Sequence, residues 1–323
     1  MSTRRDSSTG DLDSKGFALM LRKALLLTMS VLLVTAVAAA AATDGTIPGA
    51  AGFPQGLAVQ PGTTTFFVSS FTTGAVFRGT IGHQARLFLS AGANGRRSAT
   101  GVEFDPSGRL LVLTGRSLEL EVFSPRTGRL QGTFAAAPIT GSHILNGLAL
   151  TNDGNVYITD FGTPAIYRVT ARELKHGSGP ITRWLSPSAR IVPVSGGGFN
   201  GIAATADGRY LIVGETASGA LWRINIAKRT ITSIKVRGGS LLGSDGVLLL
   251  GHTLYVATHQ NAVYELVLGQ TYASARVVRK LTNPTLDFPT SMTVYRNRLL
   301  VANALKPAGA TEYQVTSFPL TAR

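Results

Sequence analysis

Six times along the chain a short apolar run opens behind a two-residue cue, at nearly constant spacing. The openings are Gln55-Gly56-Leu57, Thr100-Gly101-Val102, Asn146-Gly147-Leu148, Asn200-Gly201-Ile202, Asp245-Gly246-Val247 and Ser291-Met292-Thr293. From the second residue of each to the next is 45, 46, 54, 45 and 46 positions. A fixed period of that length marks one supersecondary unit repeated in space, each copy burying its apolar face against the next. Equivalent positions of a closed array face a common axis. The period therefore implies both a fold and a place to look for a site.

Behind the openings stand tight turns: Gln60-Pro61-Gly62, Asp105-Pro106-Ser107-Gly108, Asn152-Asp153-Gly154 and Ala206-Asp207-Gly208. Asp and Asn bond back to their own backbone there, and Gly supplies a positive φ. Asp105, Asp153 and Asp207 are accordingly turn residues. A β-rich run follows at 66–68, 110–112, 156–158, 210–213, 254–256 and 299–301. A third strand alternates at 165–169, 220–224 and 262–266, and a weaker fourth follows, as at 230–234. Four short antiparallel strands with apolarity declining outward describe a propeller blade. The pattern predicts an all-β, six-bladed β-propeller over residues 43–323. The sixth unit has only three clear strands, so the stretch after Thr43 is expected to close the ring, although Gly49 and Gly52 weaken it as a strand. Helix is expected only near 170–175.

The first 42 residues stand apart. A lead carrying Arg4, Arg5, Lys15, Arg22 and Lys23 precedes residues 24–42, which lack any charge and end in alanines before Thr43-Asp44. This reads as a signal peptide over 1–42, with Met20 an alternative start, and implies a periplasmic or extracellular protein. A retained anchor is the alternative, because about 19 apolar residues just span a bilayer; the Ala-rich end favours cleavage. Cysteine is absent, which removes a disulfide framework, thiolate metal sites and a Cys nucleophile. The formal charge is +14, but the basic residues are scattered singly, as at Arg109, Arg168, Arg209, Arg223 and Arg298. Nucleic-acid binding would want a clustered face. A small-molecule partner is expected, with no nucleic acid, and membrane contact only through an uncleaved N-terminus.

The residues that start the inner strands converge on the axis: Gln55, Thr100, Asn146, Asn200, Asp245 and Ser291. Gln55, Asn146, Asn200 and Asp245 bring four side-chain oxygens to one point, a set suited to one hard divalent cation, Ca²⁺ above all. Such an ion polarises a carbonyl and lowers the pKa of bound water, with Asp245 as base or nucleophile. The alternative for each residue is a structural one, since Asn-Gly and Asp-Gly are turn dipeptides. The loop after the second strand adds Ser69-Ser70-Phe71, Asp160-Phe161, Glu215-Thr216, His259-Gln260 and Asn303. Thr100, Asp160, Glu215, His259 and Ser291 are the candidate substrate contacts, His259 a possible general acid or base. The long third interval places an insertion at 185–199, whose Gly196-Gly197-Gly198 suits a flap over the mouth.

With these residues the chain resembles the regucalcin and gluconolactonase (senescence-marker-protein-like) propellers, relatives of the paraoxonases and of the squid-type phosphotriesterase. The resemblance runs over about 53–304, most specifically at Asn200-Gly201-Ile202-Ala203, Asp207-Gly208 and Ser244-Asp245-Gly246. In that family Glu, Asn, Asn and Asp of blades one, three, four and five hold a catalytic calcium, which implies Gln55, Asn146, Asn200 and Asp245 here. Gln55 is an amide where the family has a carboxylate, Gly147 stands where relatives often have Asp, and Thr100 falls where paraoxonases have a catalytic His. The resemblance implies an exported calcium-dependent hydrolase of a lactone or related ester. The alternative is a non-catalytic ligand- or partner-binding propeller with a degenerate metal site.

Overall fold

The computed structural model describes residues 36–38, 42–138, 140–186, 197–306 and 308–320. The expected signal peptide lies outside these residues apart from Ala36–Ala38 and Ala42, and so do residues 187–196 of the expected flap.

Six four-stranded antiparallel groups follow one another along the chain. The first is Pro54–Val59, Thr65–Ser70, Val76–Thr80 and Arg86–Leu89; the second is Val102–Phe104, Leu110–Leu113, Glu119–Phe123 and Leu130–Ala136. The third is Leu145–Leu150, Val156–Asp160, Ile166–Val169 and Ser178–Leu185; the fourth is Phe199–Ala204, Tyr210–Glu215, Leu221–Asn225 and Thr230–Ser233. The fifth is Ser244–Leu250, Thr253–Thr258, Ala262–Leu268 and Ser274–Thr282. The sixth takes Pro289–Tyr295, Arg298–Asn303 and Glu312–Pro319 from the C-terminal end of the chain and Ala42–Pro48 from the N-terminal side. That pairing joins the two ends of the repeat array and supplies the strand the sequence left open. Among the described residues three parallel pairings also involve outer strands: Thr133–Ala136 with Ser178–Ile181, Lys235–Arg237 with Ser274–Arg276, and Ala36–Ala38 with Lys280–Thr282.

Inner strands of successive blades touch all the way round, including blade six against blade one. The apolar core is correspondingly divided into six clusters, one at each junction. Leu111, Val122 and Ile158 join blades two and three, while Leu57, Phe66 and Leu300 join blades one and six. The second strand of each blade thus buries both faces, which is why those runs read as continuously apolar rather than alternating.

The second residue of the cue is glycine because neighbouring inner strands approach so closely. A Cβ at Gly56, Gly147, Gly201 or Gly246 would come 2.3, 2.6, 2.2 or 2.5 Å from the carbonyl oxygen of Thr100, Asn200, Asp245 or Thr290. The last contact corrects the repeat register. Thr290, not Ser291, is the sixth ring residue, and Ser291 occupies the position of the glycines. Hydroxyls stitch the same junctions: Thr100 Oγ1 donates to Leu145 O at 2.6 Å, Thr216 Oγ1 to Ser244 O at 2.6 Å and Thr290 Oγ1 to Pro54 O at 3.0 Å.

The turn aspartates act as expected: Asp105 Oδ1 accepts from Ser107 N at 2.9 Å and Arg109 N at 2.8 Å. Among the described residues α-helix is confined to Ala171–His176. Thr170 and Glu173 cap it reciprocally and Gly177, at φ 80°, ends it.

Candidate functional site

The inner strands enclose an axial channel of about 290 Å³, lined at its mouth by Gln55, Asn146, Asn200, Asp245 and Thr290. Asp245 is buried and is the point on which the other groups converge. Gln55 Nε2 donates to its Oδ1 at 3.1 Å, and His259 Nε2 lies 2.9 Å from its Oδ2. Burial pushes the Asp245 carboxyl above its usual range, and hydrogen bonds from His259, Gln55 and Asn200 work the other way. Asn200 also donates through Nδ2 to Thr216 Oγ1 at 3.0 Å. Asn146 lines the channel without a side-chain hydrogen bond among the described residues. Its amide is free to meet a ligand.

Strand register explains these pairings. Phe199 pairs with Glu215 and Ser244 with Thr258 at the open end of each blade's first hairpin. The residue following each second-strand partner, Thr216 or His259, then reaches the residue following each first-strand partner, Asn200 or Asp245. Because the carboxylate accepts from Nε2–H, the His259 tautomer that fits keeps its lone pair on Nδ1. That is the arrangement of an oriented general base.

His259 is itself held from behind. Its ring stacks on Phe288 at 4.0 Å and 17°, and Phe288 meets Phe53 edge-on at 5.5 Å. Phe53 in turn lies 5.9 Å from Phe71. All three phenylalanines are half-buried. Phe53 and Phe288 have φ of 40° and 57°, a region that bulky L-residues seldom occupy and that costs on the order of 1–3 kcal/mol. Each directly precedes the proline that opens an inner strand.

The remaining expected contacts hold the scaffold. Thr100 is buried against Leu145 O. The Asp160 carboxylate is filled by Ile144 N at 3.2 Å, Gly162 N at 2.8 Å, Thr163 Oγ1 at 3.0 Å and His143 Nδ1 at 2.5 Å. Glu215 accepts from Ser218 Oγ at 2.7 Å and Trp222 Nε1 at 3.2 Å. Ser291 Oγ accepts from Leu57 N at 3.2 Å. These four are thus engaged within the protein, whereas His259 joins the ring.

Solved structures with a similar fold include a catalytically inactive histidine-to-alanine variant of virginiamycin B lyase from Staphylococcus aureus with quinupristin. It is 12% identical, covers 87% of this chain and 99% of its own, and has a TM-score of 0.59. The WD40 repeats of RRP9 are 11% identical, cover 87% and 100%, and score 0.58. The Malassezia sympodialis allergen Mala s 1 is 16% identical, covers 79% and 90%, and scores 0.56. The chain is a β-propeller. No family model matches it, and no curated protein matches it by sequence.

Two features of the propeller mouth were missed from sequence. Phe53-Pro54 and Phe288-Pro289 occupy the same repeat position, two residues before Gln55 and Thr290, a signal hidden by the one-residue slip in the last repeat. Glu103 stands within the second opening and lines the channel, at a position that is apolar in the equivalent runs of blades one, three, four and five.

Proposed function

We propose that the channel mouth binds a small molecule bearing a carbonyl group and that the Asp245–His259 pair moves a proton there, the finer reaction being hydrolysis of a lactone or related ester. The observation that carries this reading is the hydrogen bond from His259 to a buried carboxylate at the rim of a channel. In the proposed step His259 Nδ1 takes a proton from water as its oxygen bonds to the carbonyl carbon. The C–O bond to the alkoxide then breaks, and the imidazolium returns the proton to that alkoxide. Water is consumed and a hydroxy acid, or an acid and an alcohol, is released. Asp245 orients the ring and balances its charge. Asn146 is the group placed to donate to the carbonyl oxygen as negative charge develops on it.

Calcium fits this ring poorly. Its holders would be Gln55, Asn146, Asn200 and Asp245, yet Gln55 and Asn200 turn N–H groups toward Asp245, and His259 takes the other carboxylate oxygen. One charge faces a dication, with its lone pairs already engaged. Among the described residues no group of three or more His, Cys, Asp or Glu gathers to hold a metal. We therefore assign the step to His259 and route none of it through an ion. Affinity to the regucalcin and gluconolactonase group, and export through residues 1–42, belong to this proposal as sequence-based readings.

A fold of this kind hosts both chemistry and binding, as virginiamycin B lyase and the WD40 repeats of RRP9 illustrate. That a histidine is essential in the lyase is consistent with a histidine-based reading. The second reading, a binding propeller without turnover, is favoured by the extent to which ring residues satisfy one another. A panel of γ- and δ-lactones and aryl esters decides between them. Turnover lost in Asp245→Asn and in His259→Gln supports hydrolysis; no turnover by the unaltered protein leaves binding.

A further inference from the structure

The channel holds a second carboxylate that the proposed step does not use. Glu103 lies on the inner strand Val102–Phe104, three residues beyond the ring residue Thr100, or about 10 Å along a strand. Its side chain is exposed along the channel that it lines. Its hydrogen bond comes from the amide of the next residue, Phe104 N to Oε1 at 2.9 Å. Among the described residues it has no ion-pair partner. Desolvation in the channel pushes its carboxyl above the usual range.

The surroundings sharpen the point. The chain carries 31 Lys and Arg against 17 Asp and Glu, but among the described residues no lysine or arginine lines the channel. A basic protein thus keeps its channel anionic, with Asp245 at the mouth and Glu103 further in. Asp245 meets three side-chain donors, whereas among the described residues Glu103 accepts only from the amide of Phe104. The rim outside is aromatic, with Phe53, Phe71 and Phe288 half-buried beside His259. Aromatic faces at the mouth and a carboxylate about 10 Å further in match an elongated organic cation, whose apolar end the ring faces receive and whose charge the carboxylate neutralises.

We propose that Glu103 is a specificity residue that selects substrates carrying an alkylammonium group, seated toward Glu103 while an apolar or aromatic part rests on the phenylalanine rim. This rests on reading the mouth as a small-molecule site. The distance between His259 at the rim and Glu103 along the strand sets the spacing between the substrate's carbonyl and its cation.

The test is calorimetric titration of the full chain with 6-phenylhexylammonium, 6-phenylhexanol and 7-phenylheptanoate, which share an aromatic ring and a chain long enough to span about 10 Å, and differ in charge. The ammonium is expected to bind about tenfold more tightly than the alcohol, the increment of one charge-assisted hydrogen bond, and the carboxylate to bind weakest. In Glu103→Gln, which keeps the acceptor for Phe104 N, the ammonium should fall to the affinity of the alcohol while the alcohol is unmoved. If the variant does not fold, pH replaces it: in the unaltered protein ammonium affinity should fall on acidification and alcohol affinity stay level. Equal affinities, a preference that survives Glu103→Gln, or no binding of the ammonium overturns the inference. Ammonium preference without ester or lactone turnover would remove the hydrolytic reading and leave this one; turnover without preference would do the reverse.

Discussion

Asp245 and His259 meet because Ser244 pairs with Thr258 across the open end of a hairpin, which brings His259 Nε2 to 2.9 Å from Asp245 Oδ2. The same register in the preceding blade brings Asn200 to Thr216 at 3.0 Å. One geometry thus yields a neutral structural pair in one blade and an ionisable pair in the next. Chemistry enters through residue type, not through a local change of fold.

If the pair acts as one unit, its members should not contribute additively. His259→Gln alone is expected to lower turnover by about 10²–10⁴-fold, the usual range for a positioned base. Asp245→Asn should cost a similar factor, and the double variant little more than either single one. Losses that simply multiply would separate the two residues functionally. Circular dichroism of each variant establishes that the fold persists.

Calcium offers a sharp contrast between sequence and geometry. The unaltered protein is expected to show no stoichiometric calcium binding by calorimetry and no change in melting temperature with chelator. Gln55→Glu places a second carboxylate where Gln55 Nε2 now sits 3.1 Å from Asp245 Oδ1. Two carboxylates that close repel unless a cation joins them, so this variant should gain calcium binding and calcium-dependent stabilisation. Tight binding by the unaltered protein that disappears in Asp245→Ala would reverse this view.

The repeat made the blades, their order and the closing strand from the N-terminal side legible, because period, turn dipeptides and strand composition all report local structure. Site assignment was less direct. Asp160 and Glu215 are polar and close a second strand, which suggests ligand contacts; in space Asp160 fills with two backbone amides, Thr163 and His143, and Glu215 with Ser218 and Trp222. Strand alternation sends the following residue to the ring instead, so Thr216 and His259 carry the contacts. Ser291 was misplaced for a related reason. Glycine marks the position of closest approach in the other five blades, and serine in the sixth concealed it. Nothing local in the sequence distinguishes Glu103, whose setting is created by inner strands of all six blades.

Stability should also respond to acid in a direction set by that setting. The carboxyls of Asp245, which is buried, and of Glu103, in the channel, are both raised in the folded protein, chiefly by desolvation. Between the unfolded and the higher folded pKa the native state holds more protons, so stability falls as pH rises through that window and then stays level. Glu103→Gln removes one titrating group. Its melting temperature should exceed that of the unaltered protein at neutral pH and converge with it in acid. A variant that is less stable at neutral pH would mean that the ionised carboxylate is favourably compensated in the channel.

The close approach of neighbouring inner strands sets the last expectation. At Gly201 a Cβ would stand 2.2 Å from Asp245 O and 2.5 Å from Val247 N, both backbone atoms of the adjacent inner strand. Neither can swing aside as a side chain would, so Gly201→Ala must push blade four from blade five at the ring itself. Overpacking of this kind costs about 1–3 kcal/mol, and the displacement falls on the strand that carries Asp245. Gly246→Ala should act likewise, through Thr290 O at 2.5 Å. Denaturant unfolding is expected to show the loss in both variants. Ligand binding at the mouth should weaken in Gly201→Ala even under conditions where the protein remains folded, because Asp245 moves with the strand. Unchanged stability in both would mean that the inner strands are more widely spaced than this ring of contacts requires.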